Sequence, residues 1–321
     1  MNSKPKANEI RITRIYDAPV QTVWEAWTDP KQVAQWWGPR GFTLTTHSKD
    51  FRVGGSWVYT MHGPDGVDYP NRTPYLEIEK YSRLVYDHGG NDDRPPLFRV
   101  TVTFADLKGK TKLDMSMVCS TPEATEEIKK HIKKAGGNAT WDRLAEYLEK
   151  QSSGKDVFVI NRSFDAPIGT MFDLWTDPKH ITQWTPPAGF TMRFMTVDVR
   201  EGGEGFYEMT DGGKVSMYGR VKYLEIRRPF RIVYTQQFCD KDGTISRHPF
   251  APTWPETMLT TVTLSDEGPD QTRVTVLWEV FGKATSIELE TFRKARAGMT
   301  QGWTGSFDKL ESHLADFCSK S

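Results

Sequence analysis

Apolar side chains take every second position at Val100, Val102 and Phe104 and again at Leu113, Met115, Met117 and Cys119. Thr101, Thr103, Asp114 and Ser116 fill the gaps. Period two marks a strand with one buried face. The same parity returns at Val262 and Leu264 and at Val274, Val276, Trp278 and Val280, with Arg273, Thr275 and Glu279 opposite. Phe292, Met299, Trp303, Leu310 and Leu314 instead follow helical spacing, an apolar stripe that has to pack on a sheet. A long closing helix is therefore expected near Pro122 to Lys150 and again near Ser286 to Phe317.

The pattern recurs because the chain repeats itself. Asp17-Ala18-Pro19 returns as Asp165-Ala166-Pro167, Trp27-Thr28-Asp29-Pro30-Lys31 as Trp175-Thr176-Asp177-Pro178-Lys179, and Tyr75-Leu76-Glu77-Ile78 as Tyr223-Leu224-Glu225-Ile226, all at an offset of 148. Gln35-Trp36, Gly41-Phe42-Thr43 and Gly54-Gly55 recur at the same offset. The offset grows to 160 at Thr101-Val102-Thr103, which implies an insertion around Gln236 to Pro255, and to 166 where Gly136, Leu144 and Leu148 face Gly302, Leu310 and Leu314. A unit this long is a duplicated domain rather than a solenoid repeat. We expect domains over 1–152 and 155–321, joined at Gln151-Ser152-Ser153-Gly154-Lys155.

Each copy opens with a strand, Glu9 to Tyr16 or Val157 to Phe164, followed by a helix that Pro19 or Pro167 starts and Asp17 or Asp165 is placed to cap. Asp29 and Asp177 are placed to cap a second short helix carrying Trp36 or Trp184. The predicted order per copy is β-α-α-β-β-β-β-β-β-α, an antiparallel sheet wrapped around its last helix, of the α+β class. Gly136, Gly137, Gly298, Gly302 and Gly305 fall inside the closing helices, where glycine costs about 1 kcal/mol relative to alanine. Close packing or a kink, and room for a ligand, are the two readings of them.

Charge and composition narrow the function. Lys and Arg total 42 and Asp and Glu total 42, so no broad basic field favours nucleic acid or an anionic membrane. With 37% hydrophobic and 26% charged residues, both halves can bury a core. No stretch nears the roughly 20 apolar residues that cross a bilayer. The start, MNSKPKANEIR, lacks the apolar segment of a secretion signal, so a cytoplasmic protein without membrane insertion is expected. Cys119, Cys239 and Cys318 form no CxxC pair.

No sequence-local chemistry stands out. The seven histidines form neither HxxxH nor HxH, so no metal site is expected. Lys108-Gly109-Lys110-Thr111 has Phe104 where a phosphate loop needs glycine, no GxSxG elbow occurs, and Asp240-Lys241-Asp242-Gly243 lacks the rest of a calcium loop. His47 and Asp50 fall on opposite faces of their strand. We expect no catalytic residues and no cofactor.

The combination Asp-Ala-Pro, Val-Trp-x-Ala-Trp-Thr-Asp-Pro, Gln-Trp-Trp-Gly-Pro-x-Gly-Phe-Thr, Gly-Gly and Tyr-Leu-Glu-Ile, closed by a Gly-x-x-x-x-aromatic-x-x-Leu-x-x-x-Leu helix, resembles the activator of heat-shock-protein-90 ATPase homologue family. That family lies within the START-like (SRPBCC, birch-allergen-like) superfamily, and the likeness spans nearly the whole chain, once per half. It implies two tandem helix-grip domains, each with a cavity between sheet and closing helix that often holds a lipid, sterol, polyketide or other apolar molecule. The eukaryotic activators add an N-terminal domain with an Asn-rich Trp-His-Trp segment that contacts the chaperone. Residues 1 to 8 hold no such domain, and both halves resemble the C-terminal type.

Under that resemblance, the cavity candidates are positions whose type repeats on strands facing the closing helix. Tyr59 and Met61 match Tyr207 and Met209, and Trp36 and Trp184 sit at the elbow between the two short helices. Val102, Met115, Met117, Val276 and Trp278 on the apolar strand faces, with Met299 and Trp303 on the helix stripe, complete the set. Ordinary core packing is the competing reading of every one. His62 has the opposite parity and is expected outside. A non-catalytic binder of an apolar small molecule is the leading expectation. A heat-shock-protein-90 partner, implied by the resemblance alone, and a cyclase or aromatase are the alternatives.

Overall fold

The computed structural model describes residues 5–134, 139–154, 156–213 and 215–318. The chain divides between Ser152 and Ser153 into two compact units. The first runs β1 (Glu9–Tyr16), α1 (Val20–Thr28), α2 (Pro30–Trp36), β2 (Thr43–Lys49), β3 (Ser56–His62), β4 (Asp68–Glu79), β5 (Arg83–His88), β6 (Phe98–Leu107), β7 (Lys110–Cys119), α3 (Pro122–Lys134) and α4 (Ala139–Ser153). The second repeats it as β8 (Phe158–Phe164), α5 (Ile168–Thr176), α6 (Pro178–Trp184), β9 (Thr191–Val197), β10 (Glu204–Thr210), β11 (Ser216–Arg227), β12 (Arg231–Cys239), β13 (Met258–Gly268), β14 (Gln271–Val280), α7 (Ser286–Lys294) and α8 (Arg296–Cys318).

Each unit carries one seven-stranded antiparallel sheet, ordered β1-β7-β6-β5-β4-β3-β2 and β8-β14-β13-β12-β11-β10-β9. The opening strand lies beside the last one, and a meander of hairpins fills the rest. The expected parity holds in the first sheet; in the second, Trp278 and Val280 are only partly buried, and Arg273, expected on the polar face, is buried and paired with Glu267 at 2.9 Å. Val100, Val102, Phe104, Leu113, Met115, Met117 and Cys119 are buried, as are Val262, Leu264, Val274 and Val276, each contributing ~1.5–3 kcal/mol as its apolar surface leaves water. Leu144 and Leu148 of α4, and Phe307, Leu310 and Leu314 of α8, join these strands in one core per unit. This is α+β architecture, twice.

Local signals placed the second short helices well. The Asp29 side chain accepts from the Lys31 and Gln32 amides at 2.8 and 2.9 Å, and Asp177 accepts from Lys179 at 2.8 Å. The first helices start differently from expectation. Pro19 and Pro167 are themselves the N-cap residues, without a side-chain cap, and the Asp17 carboxylate pairs with Lys110 instead.

In the second unit the closing helix is not continuous, since Ala295 caps α7 and α8 begins at Arg296; in the first, α3 and α4 lie either side of residues 135–138, which are outside the described set. Gly136 and Gly137 lie outside the described residues. A Cβ at Gly298, Gly302 or Gly305 would meet nothing within 4 Å, so close helix–sheet packing does not explain these glycines. The expected joint is helical as far as Ser153. In the insertion, β12 runs on to Cys239. Bridges between Cys239 and Ile245 and between His248 and Ala251 then shape the loop.

Candidate functional site

The elbow of two short helices fixes one wall of the site. In α6 the Trp184 indole N–H donates to the Leu174 carbonyl at 3.0 Å, and in α2 the Trp36 N–H donates to Ala26 at 3.0 Å. Both rings are fully buried, so each ties its helix to the one before it. The Trp175 ring stacks on Trp303 of α8 at 6.1 Å, and the Trp27 ring stacks on Trp141 of α4 at 5.5 Å. Elbow and closing helix thus meet through a tryptophan pair in each domain.

The inner sheet faces carry a ladder of three tyrosines at matching positions. Tyr59, Tyr75 and Tyr86 correspond to Tyr207, Tyr223 and Tyr234 at the repeat offset, and Tyr75–Tyr86 and Tyr223–Tyr234 are direct cross-strand pairs. Burial pushes the phenols of Tyr207 and Tyr223 up to about 12, and Tyr234 higher still, so all three are neutral. The Gln236 amide donates to the Tyr207 hydroxyl at 2.7 Å.

Between these walls the second domain holds a cavity of about 70 Å³. It is lined by Trp175, Ile181, Trp184 and Thr185 from the elbow, Met192 and Phe194 from β9, and Tyr207 and Met209 from β10. Val221 and Tyr223 from β11, Ile232, Tyr234 and Gln236 from β12, and Trp303 from α8 complete it. An engineered apolar cavity of about 150 Å³ accepts benzene, so this one suits a single small ring with modest adjustment of its walls. None of the lining side chains is Asp, Glu, Lys, Arg or His, and no acid–base pair converges there.

In the first domain large aromatic side chains stand at the corresponding positions. Trp37 stands where Thr185 is in the second copy, and Trp57 where Gly205 is. The buried Trp37 ring lies 5.4 Å from Trp57, 6.5 Å from Tyr59, 6.0 Å from His88 and 6.2 Å from Trp141, and Trp57 stacks on Tyr59 at 4.0 Å. A Cβ at Gly205 would meet the Val221 Cγ2 at 2.9 Å, so no larger residue fits there without movement. His88 matches Gln236 in position. Burial holds its imidazole at about 4, and its ring stacks on Phe98 at 5.1 Å.

Of the sequence candidates, Trp184, Tyr207, Met209 and Trp303 line the cavity. Val276, Trp278 and Met299 belong to or pack against the same core but are not among the cavity's lining residues, and the Trp278 ring lies 5.6 Å from Trp303. Trp36, Tyr59, Val102, Met115 and Met117 are buried in the first core, and Met61 packs against it. Sequence reasoning missed Thr185, Gln236, Trp175, Tyr223 and Tyr234. The two tyrosines had a signal, since both recur at the common offset. His62 sits apart from the core, bonded to Asp68 at 2.6 Å and Thr45 at 2.9 Å, and His47 bonds Thr60 at 2.9 Å. Among the described residues no three His, Cys, Asp or Glu side chains are grouped to hold a metal, and no helix is long and apolar enough to cross a membrane.

Each half is thus a helix-grip domain of the START-like kind, a sheet closed over its last helix. The chain belongs to the family described as activator of Hsp90 ATPase homolog 1-like protein, whose sequence model matches residues 17–149 and 165–315. Among solved structures it is similar to a protein of Arthrobacter aurescens, at 25% identity and a TM-score of 0.43, over 46% of this chain and 90% of that one. It is likewise similar to a Nitrosomonas europaea protein, at 21% and 0.42, over 46% and 97%. The di-domain ARO/CYC protein BexL of the BE-7585A biosynthetic pathway aligns over 95% of this chain and 98% of its own, at 13% and 0.39. No curated protein matches the chain.

Proposed function

We propose that the second domain binds a small, mostly apolar molecule between its sheet and α8, and that the first domain is a filled copy of the same frame. The observation that carries this reading is the paired exchange of Trp37 and Trp57 for Thr185 and Gly205, in the domain whose interior holds the cavity. The wall is aromatic and aliphatic with a few polar atoms, as in sites for apolar ligands. A cyclase or aromatase would need an acid and a base converging in the cavity wall, whose titratable side chains are the neutral phenols of Tyr207, Tyr223 and Tyr234, and a chaperone role rests on family membership alone.

The test is ligand-observed NMR with ethylbenzene and the full chain. Saturable binding by the wild type and at least a tenfold weakening by Thr185→Trp, which restores the tryptophan of the first domain, are expected. Equal binding by both proteins places the ethylbenzene elsewhere and removes the reading.

A further inference from the structure

Two buried polar atoms of cavity-lining residues have no protein partner. The Trp175 indole Nε1 and the Thr185 hydroxyl are both buried and make no hydrogen bond within the protein, although Trp175 as a whole is only 6% exposed. This is unlike the elbow tryptophan beside them, whose N–H is bonded to a backbone carbonyl. Buried donors are nearly always satisfied, and leaving one without a partner costs on the order of 1–3 kcal/mol. An indole N–H only donates, and a threonine hydroxyl donates or accepts. On the far side, Tyr207 accepts from Gln236, which leaves its phenolic proton to donate. The wall therefore offers donors at Trp175, Thr185 and Tyr207 beside the Gln236 amide oxygen, and no formal charge.

We infer that the ligand is a neutral single-ring molecule bearing a hydrogen-bond acceptor oxygen, such as a ketone or aldehyde carbonyl, received by the Trp175 N–H and the Thr185 hydroxyl. This rests on the binding reading above and adds to it the polarity and charge of the ligand. An apolar ring of the same size leaves both donors unmet. A carboxylate has no cation to compensate its desolvation.

The experiment compares acetophenone, ethylbenzene and benzoate on the wild type, Thr185→Val and Trp175→Phe. The measured quantity is the acetophenone-to-ethylbenzene affinity ratio, so general effects on packing cancel. That ratio is expected to fall about fivefold to tenfold in Thr185→Val, the loss of one hydrogen bond, with ethylbenzene affinity held within about twofold. Trp175→Phe should lower the ratio similarly, and benzoate should bind at least about a hundredfold more weakly than acetophenone. An unchanged ratio in both variants, or benzoate binding as well as acetophenone, overturns this assignment while leaving the apolar-ligand reading intact. Failure of the wild type to bind both neutral probes overturns the two together.

Discussion

The two domains share a frame and differ in what fills it. The elbow tryptophans Trp36 and Trp184 and the three-tyrosine ladders hold the same positions in both, and each elbow stacks on a tryptophan of its closing helix, although Trp141 aligns with Phe307 and Trp303 stands one turn earlier. Three of the differences meet at one place. Trp37 and Trp57 fill in the first domain the space next to which Thr185 and Gly205 stand in the second, and His88 gives way to Gln236 on the same wall. Shared positions therefore answer to the fold, while the exchanged ones answer to the interior. A duplicated domain lets one copy keep a dense core and the other keep a hollow, because each has its own sheet and helix to stabilise it.

The strongest way to break this comparison is to empty the first domain. Trp37→Thr places the second domain's residue in the first, and removing a buried tryptophan costs about 3–5 kcal/mol, a large part of a domain's stability. Hydrogen-exchange mass spectrometry reads each domain separately. We expect faster exchange across β3 to β5 with the second domain unchanged. Unaltered protection in the first domain would show that Trp37 is not its filling.

A second asymmetry is acid-sensitive. Burial holds the His88 imidazole at about 4, below its ordinary 6.5, so the unfolded chain takes up the proton first. The stability this residue leaves intact above pH 6.5 is lost as pH falls towards 4, by ~3 kcal/mol in all. His88→Gln, the residue of the second copy, should abolish most of that loss in urea titrations at pH 7.5 and 4.5. Glu9, held at about 2 chiefly by its bond to Arg11, loses its share as pH falls from about 4.5 towards 2, so most of it lies below the pH 4.5 measurement. A variant that weakens as much as the wild type between those two pH values would detach His88 from the acid response.

Most of the frame could be read from the chain. Period-two strands, a helical stripe and a repeat at one offset leave few topologies open, and Asp-Pro steps marked both second helices. The break before α8 escaped because Arg293-Lys294-Ala295-Arg296-Ala297 consists of good helix formers, so nothing local announces it. The first-helix caps escaped because Asp17 answers to Lys110, a partner distant in sequence. The site was only half legible for a different reason. Seeking residue types that repeat finds Tyr207, Met209 and Trp184, whereas a hollow arises where a large residue is replaced by a small one, as Trp37 is by Thr185 on the cavity wall. That contrast was present in the alignment of the copies, but its meaning depends on Trp37 pointing inward, which periodicity across a loop does not give.

The smallest predicted difference concerns how each closing helix holds the loop that follows the elbow. Arg143 of α4 donates through Nη1 to the carbonyls of Gly38 at 2.8 Å and Pro39 at 2.9 Å, with Trp37 and Phe42 at 3.4 and 3.3 Å. Lys309 of α8, its counterpart at the helix offset, donates to Pro186 at 2.7 Å and Pro187 at 3.1 Å. A guanidinium spans several acceptors with a rigid fork, whereas an ammonium is a compact point charge. The filled domain thus has the broader clasp next to Trp37. Arg143→Lys installs the second domain's residue where a lysine of similar reach still finds carbonyls, so the loss should be partial, about 1 kcal/mol. Exchange in residues 37–42 should quicken while the Trp36 elbow keeps its protection. Lys309→Arg should slow exchange in residues 185–190 by a similar factor, and opposite signs at both sites would show that the two cations do not play the same part.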